Sequence, residues 1–253
     1  MYTMIFDTET TDLNKCFCYN IGYTILDTDT NTTVLEEDYV VEQIWHNLPL
    51  FETAYYSDKR EQYIKDMKSR KTFMRKFGYI TQRMCRLIEE FDIEYAYAYN
   101  SSFDEKVFKF NCEWFKCINP FDNVEVIDIR GLVHQTIAQS SYYQSFCEQF
   151  TLFTDCGNYS TTAENVYRFI LDDIDFEECH TALADSVIET EILKYCVNEC
   201  NCEYGKHYRV LQSIPRNCIY TLDIICGDTG EIMFSAPYQK IRINKDKTEI
   251  VLK

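Results

Sequence analysis

Asp7 and Glu9 stand one residue apart at the end of the opening apolar run Met4-Ile5-Phe6. If that run is a strand, its period-two alternation sends both carboxylates to one face. Two carboxylates held side by side repel, which is costly unless a cation or a shared proton lies between them. A divalent cation meets that need; a solvated strand end entering a turn is the plainer alternative.

Two further stretches carry groups of matching chemistry. Tyr99-Asn100-Ser101-Ser102-Phe103-Asp104 follows a second β-favouring run, Tyr95 to Tyr99, and opens a helical segment. Cys179-His180-Thr181-Ala182-Leu183-Ala184-Asp185 opens another, continued by Ile188, Ile192, Leu193 and Cys196. The spacing puts His180 in the loop before that helix and Asp185 about one turn inside it, so the imidazole can overhang a site to which Asp185 contributes. Alone, His180 reads as a loop histidine with a satisfied hydrogen bond. Asp104 alone reads as an acid stabilised by the N-terminal end of a helix.

Taken in order, Asp-x-Glu, Asn-x-x-Phe-Asp and His-x-Ala-x-x-Asp resemble the DEDD exonucleases, in the subclass whose third motif carries histidine (DEDDh, DnaQ-like) and which includes phage-encoded relatives. The resemblance spans about residues 1 to 200. It implies a ribonuclease H-like fold with a mixed central sheet flanked by helices, and metal-dependent 3′→5′ hydrolysis of single-stranded nucleic acid. Asp7, Glu9, Asp104 and Asp185 would hold two Mg²⁺ or Mn²⁺ ions, with Asp7 bridging both. Hard oxygen donors suit these ions, and a pair of them stabilises both the attacking and the leaving oxygen of a phosphodiester. His180, with an ordinary pKa of about 6.5, would accept the proton of the attacking water. Thr8, Thr10, Leu13 and Asn100 would contact the terminal nucleotide. The family pattern often reads Asp-x-Glu-Thr-Thr-Gly; Asp12 stands here in place of that glycine, which bears on the turn and leaves the carboxylates untouched. DNA is the favoured substrate, in viral or mobile-element metabolism. The alternatives are an exoribonuclease or oligoribonuclease on the same fold, and a non-catalytic interaction protein that uses the fold as a scaffold.

Composition sets the bounds. The 253 residues are 46% hydrophobic and 15% aromatic, with 7 Gly and 4 Pro, enough for a sizeable core and few long linkers. Neither a secretory leader nor a bilayer-spanning run is expected, and thirteen cysteines without a leader point to reduced thiols in a cytoplasmic compartment. Cys16 with Cys18, and Cys196, Cys200 and Cys202, lack paired zinc-knuckle spacing; buried small apolar side chains are the expected use. A net charge of −16 argues against unspecific coating of a long polyanion. The charge is uneven: residues 59 to 86 hold ten Lys and Arg against two acids. That segment reads as a solvated helix face or as a guide for phosphates.

The elements that must position these groups follow from periodicity. Strands are expected at 2–6, 18–27 and 33–41 as an antiparallel meander, and again at 95–99 and 124–129. The basic segment 59–77 reads as a helix, with a second helix after a break at Gly78. Asp128 ends a strand without joining the ligands. Thr161-Thr162-Ala163-Glu164 matches a capping box. The alternation of strands and helices is that of an α/β layered domain over residues 1–205. Residues 206–253 change character and read as a β-rich extension. A hairpin (217–226 with 231–243, turning at Gly227-Asp228-Thr229-Gly230) and a last strand at 248–252 make a small meander. Such a sheet needs one face covered, by the core, by a protein partner or by self-association.

Overall fold

A computed structural model describes residues 1–12 and 16–216, together with the backbone of four short strands beyond 220. Its centre is a six-stranded sheet. Strands β1 (Tyr2–Thr10), β2 (Cys18–Asp27) and β3 (Thr32–Val41) form the expected antiparallel meander. After two single-turn helices, α1 (Glu42–Trp45) and α2 (Leu48–Phe51), come helix α3 (Arg60–Lys68), strand β4 (Phe73–Arg75) and helix α4 (Phe77–Glu90). Strand β5 (Tyr95–Ala98), helix α5 (Ser101–Phe115) and strand β6 (Glu125–Asp128) follow. Helices α6 (Ile129–Gln135), α7 (Ser141–Phe150), α8 (Ala163–Leu171) and α9 (Ala182–Asn198) complete the body. The sheet order is β4-β3-β2-β1-β5-β6, with β5 parallel to β1, β6 parallel to β5, and β4 parallel to β3. This is a mixed α/β sheet between helical layers.

Alternation along β1 sorts the core into two. Met4 and Phe6 face a layer containing Phe77, Ile80, Val107 and Phe108, from α4 and α5. Ile5 faces the opposite layer, with Ile129, Leu132, Val166, Ile188 and Ile192 from α6, α8 and α9. The aromatic content is used here: Phe6, Phe108 and Phe121 stack in a three-ring cluster, and Tyr19, Phe51, Tyr63 and Trp45 in another. Cys16, Cys18, Cys112, Cys147, Cys196 and Cys202 are buried thiols.

Helix α9 docks on β2 through three residues of one strand face. The Ala182 N–H donates to Asn20 Oδ1 at 2.8 Å, and the Thr24 and Thr190 hydroxyls pair at 2.7 Å. Between them is Gly22, where a methyl group would overlap the backbone of Ala182 and Leu183. Asn20 is buried and fully engaged: its Nδ2 donates to Asp38 Oδ1 and the Tyr39 carbonyl, and its Oδ1 also accepts from the Tyr63 hydroxyl.

Several elements depart from the sequence expectations. The helix expected over 59–77 ends at Lys68: Arg70 adopts a left-handed conformation, Thr72 bonds to buried Asp38, and Phe73–Arg75 pair with Tyr39–Val41 as an edge strand. Edge pairing to β3 outweighs the helical stripe. Helix α4 runs unbroken from Phe77, because Gly78 falls in its first turn, where little is lost. The ten cations are thus spread over α3, β4, α4 and the segments before and between them. Arg60 lies 3.9 Å over the Trp45 ring, and Arg83 pairs with Glu37 at 2.7 Å. The cap of α8 is Thr162, whose hydroxyl accepts from Asn165 N–H, one residue later than the box predicted. Glu164 instead pairs with Arg168 and accepts from the Glu178 N–H.

Residues 202–216 lie against the body. His134, 1% exposed, accepts the Leu211 N–H on Nδ1 at 3.0 Å, and its Nε2 shares a hydrogen bond with the Thr161 hydroxyl at 2.9 Å. Gly131 leaves room for the Tyr208 carbonyl. Arg216 pairs with Glu148 at 2.7 Å and lies 3.9 Å over the Phe153 ring. Beyond it, β7 (Tyr220–Ile225) pairs antiparallel with β8 (Ile232–Tyr238), as the hairpin reading expects. Strand β9 (Ile241–Ile243) pairs with β10 (Ile250–Leu252), giving two separate ladders where one three-stranded sheet was expected. The turns expected at 227–230 and 244–247 lie outside the described residues.

The contact at Gly22 yields a direct test. Gly22→Ala must push α9 off β2 and is expected to cost at least about 1–3 kcal/mol. Calorimetry should show a melting temperature lower by roughly 2–4 °C for each kcal/mol lost. An unchanged melting temperature would show that the helix does not rest on bare strand backbone.

Candidate active site

The β1–β2 register sets Asp7 opposite Gly22 and Glu9 opposite Asn20. Because Gly22 has no side chain and Asn20 caps the incoming helix, the first turn of α9 reaches the strand at this level. Asp185, in that turn, is thereby brought to the two β1 carboxylates. Donor oxygens of Asp7, Glu9 and Asp185 all lie within 4.8 Å of one another. Asp104 comes from the opposite layer, in the first turn of α5, and is 2% exposed. It is fixed by the Thr8 hydroxyl, which donates to Asp104 Oδ1 at 2.6 Å. Asp104 stands outside the trio, and Asp7 is the charge that acts on it most. Carboxylates from both helical layers therefore converge at the end of one central strand.

His180 occupies the connector ahead of α9 in a left-handed backbone conformation, φ +52°. Its Nδ1 is 3.6 Å from Glu178 Oε2, and donor atoms of Glu178, His180 and Asp185 also lie within 4.8 Å of one another. The Tyr56 ring lies on the imidazole, centroids 4.5 Å apart and planes 12° from parallel. Asp185 is shared by the two groups, which brings the histidine to the edge of the carboxylate trio.

Crowding makes these acids unusual. Burial, then Glu178, raises Asp7 to about 7; burial, then Asp7, raises Glu9 to about 9 and Asp185 to about 10. Asp104 is pushed well up by burial and then by Asp7. Asp185 Oδ1 is buried without a hydrogen-bond partner. Hard oxygen donors, mutual repulsion and an unpartnered buried oxygen are together what a divalent cation such as Mg²⁺ or Mn²⁺ neutralises. The residues fit the metal that the sequence pattern implies. Burial, above all, lowers the His180 imidazole from its ordinary pKa.

Of the remaining sequence candidates, Thr8, Thr10 and Asn100 are described. Thr8 is buried and its hydroxyl is engaged by Asp104. Thr10 is the last residue of β1. Asn100 is exposed in a left-handed turn, its N–H donating to Asp128 Oδ1 at 2.9 Å. Asp128 also caps α6, which accounts for this acid without a metal role. Leu13 lies outside the described residues. The turn lacking the family glycine closes with Thr11 N–H on the Phe17 carbonyl and Cys16 N–H on the Asp12 carbonyl.

Three neighbours escaped the motif reading. Glu178 lies two residues before His180 in the acidic connector between α8 and α9. Glu189 follows Asp185 by four residues, and its buried carboxylate accepts the Tyr99 N–H at 3.1 Å, tying the Asn100 turn to α9. A charged residue among Ile188, Thr190 and Ile192 was its available signal. Tyr56, in an irregular stretch, offered none.

No protein-family model matches the sequence, and no curated protein matches it. Solved structures do. The chain is similar to the nuclease domain of 3′hExo, a DEDDh family member, bound to rAMP: TM-score 0.52 and 14% identity over 84% of this chain and 97% of that one. A full-length 3′-exonuclease gives 0.52 and 15% over 85% and 68%. E. coli exonuclease I in complex with a dA16 oligonucleotide gives 0.46 and 12% over 78% of this chain, which spans 41% of that enzyme. The fold is the ribonuclease H-like fold of the DEDDh exonucleases.

The raised acids define a stability test. A group whose folded pKa lies above its unfolded value stabilises below the unfolded pKa, and that stability is lost as pH rises through the folded value. For Glu9 and Asp185, raised to about 9 and about 10, the loss extends across pH 7 to 9. Metal-free protein is therefore expected to melt progressively lower from pH 7 to pH 9 in EDTA. Mn²⁺ at 100 times its Kd should restore about 2.7 kcal/mol. Asp185→Asn should melt no lower than wild type in EDTA and respond far less to Mn²⁺. A wild-type melting temperature indifferent to Mg²⁺ and Mn²⁺ would rule out a metal centre here.

Proposed function

We propose that this protein is a metal-dependent 3′→5′ exonuclease that removes nucleotides from the end of a single strand of nucleic acid. The observation that carries this reading is the convergence of Asp7, Glu9 and Asp185 within 4.8 Å, on a DEDDh exonuclease fold and beneath His180. Asp7, Glu9, Asp104 and Asp185 would hold two divalent ions, Mg²⁺ or Mn²⁺. Such ions, when bound, supply positive charge to the attacking and leaving oxygens of a phosphodiester. Asp104 is kept in place by Thr8, and Asp185 by the docking of α9 at Asn20 and Gly22. His180, whose pKa burial lowers, can accept the proton of a water at a ring nitrogen. Thr10, Leu13 and Asn100 are proposed to meet the terminal nucleotide.

The product proposed is a nucleoside 5′-monophosphate, a class of molecule to which the rAMP held by the similar 3′hExo domain belongs. DNA is the favoured substrate of this reading; the acidic composition suits local binding of one strand end, of DNA or RNA, over coating of a polymer. The ribonucleotide in the 3′hExo domain supports RNA as the second reading.

A time course on 5′-labelled single-stranded DNA and RNA of equal sequence, with Mg²⁺, Mn²⁺ or EDTA, tests this directly. The expected result is a metal-dependent ladder shortening from the 3′ end. Asp7→Ala should abolish it, and His180→Ala should slow it by about 10²–10⁴. The faster strand identifies the substrate. Intact strands in every metal would overturn the enzymatic reading.

A further inference from the structure

We infer that Tyr56 and Glu178 are positioning residues that clamp the His180 imidazole over the carboxylates, an inference that rests on the exonuclease reading above. His180 belongs to the connector between α8 and α9, and no helix or strand orients its ring. Its left-handed backbone is a conformation that costs a non-glycine residue on the order of 1–3 kcal/mol and persists only where surroundings enforce it. The enforcing contacts come from two separate elements.

Tyr56 lies between α2 and α3, and its ring covers one face of the imidazole in a near-parallel stack, 4.5 Å between centroids. Aromatic pairs contribute about 0.5–1.5 kcal/mol beyond the area they bury. That is enough to select one ring orientation from a few rotamers. The phenol is raised to about 12, first by burial and then by Glu9, so it remains a neutral hydroxyl beside the acids.

Glu178 approaches the ring from its edge, 3.6 Å from Nδ1. Its own loop is tied down: the Glu178 N–H donates to Glu164 Oε1 at 3.2 Å, and Arg168 Nε donates to the Phe176 carbonyl at 2.8 Å. A carboxylate at Nδ1 favours the tautomer with the proton on that nitrogen and leaves the Nε2 lone pair free. At 3.6 Å the contact is longer than a hydrogen bond; in unliganded sites such bonds are often long and tighten on the substrate complex. Glu178 thus sets which nitrogen is basic, and Tyr56 sets where it points.

The test is a double-mutant cycle with Mn²⁺ saturating. Tyr56→Ala is expected to lower kcat about 10–100-fold, the range for a misplaced catalytic group, with KM within about threefold. Tyr56→Phe, which keeps the stack, should stay within about threefold of wild type; Tyr56→Leu is the second ring-free variant should Tyr56→Ala fail to fold. In a His180→Ala background, removing the Tyr56 ring should cost nothing further, because the group it positions is gone. An equal loss in both backgrounds, or no loss in either, overturns the clamp. An unchanged rate in His180→Ala alone sinks the base assignment and the clamp with it.

A readout independent of activity separates this inference from the exonuclease reading. Long-range ¹⁵N NMR of the His180 ring at pH 8 should show the Nδ1–H tautomer in wild type. Glu178→Gln should shift the population toward Nε2–H. Wild-type protein with Nε2–H would overturn the role of Glu178 even if the strand is degraded. The Nδ1–H form in a protein that degrades nothing would locate the failure in the exonuclease reading.

Discussion

Helix α9 lies against bare strand backbone at Gly22, and the arrangement of the site depends on that contact. A side chain at that position would stand between β2 and the helix, and the carboxylate of Asp185 would be displaced from those of Asp7 and Glu9. Asn20 completes the seat by accepting the Ala182 N–H, one of the helix N-terminal donors that has no partner within the helix. Asp38, Tyr39 and Tyr63 in turn hold Asn20, so the seat is braced by the meander and by α3. This brace is polar and buried, which makes it rigid when complete and costly to interrupt.

The same geometry concentrates unfavourable charge. Asp7, Glu9, Asp104, Asp185 and Glu189 all have carboxylates raised by burial and by one another. A folded chain keeps such a cluster only if the surrounding packing over-determines it. Two apolar layers, one on each face of the sheet, supply that packing. Thr8 and Tyr19 hold the cluster at its edges, with the Tyr19 hydroxyl 3.4 Å from Glu9 Oε2. The stability of the body is in effect drawn on to keep the acids together until a counter-charge arrives.

Much of this was legible in the amino-acid order. The meander, the strands at 95 and 125 and the helices opened by Asp104 and His180 follow from alternation and spacing, because each has one buried face. The placement of Asp7, Glu9, His180 and Asp185 around one point was legible for the same reason: each sits at a strand end or a first helical turn. What escaped depends on contacts distant in sequence. Phe73–Arg75 left the helical pattern because β3 offered an unpaired edge, and no local signal announces a free edge. Glu178 and Tyr56 meet His180 only after two connectors fold over the sheet. The one-residue shift of the α8 cap is of another kind: Thr161 and Thr162 are chemically equivalent, and the Tyr99 hydroxyl claims the Thr161 carbonyl.

Arg216 carries a consequence for the strands that follow it. Held by Glu148 and the Phe153 ring beside α7, it fixes the point from which the rest of the chain departs. Four residue steps separate it from Tyr220, and an extended chain advances at most about 3.3–3.6 Å per step. The start of β7 is therefore confined to within roughly 14 Å of that anchor. The hairpin of β7 and β8 therefore starts on a short leash from the α7 side of the body.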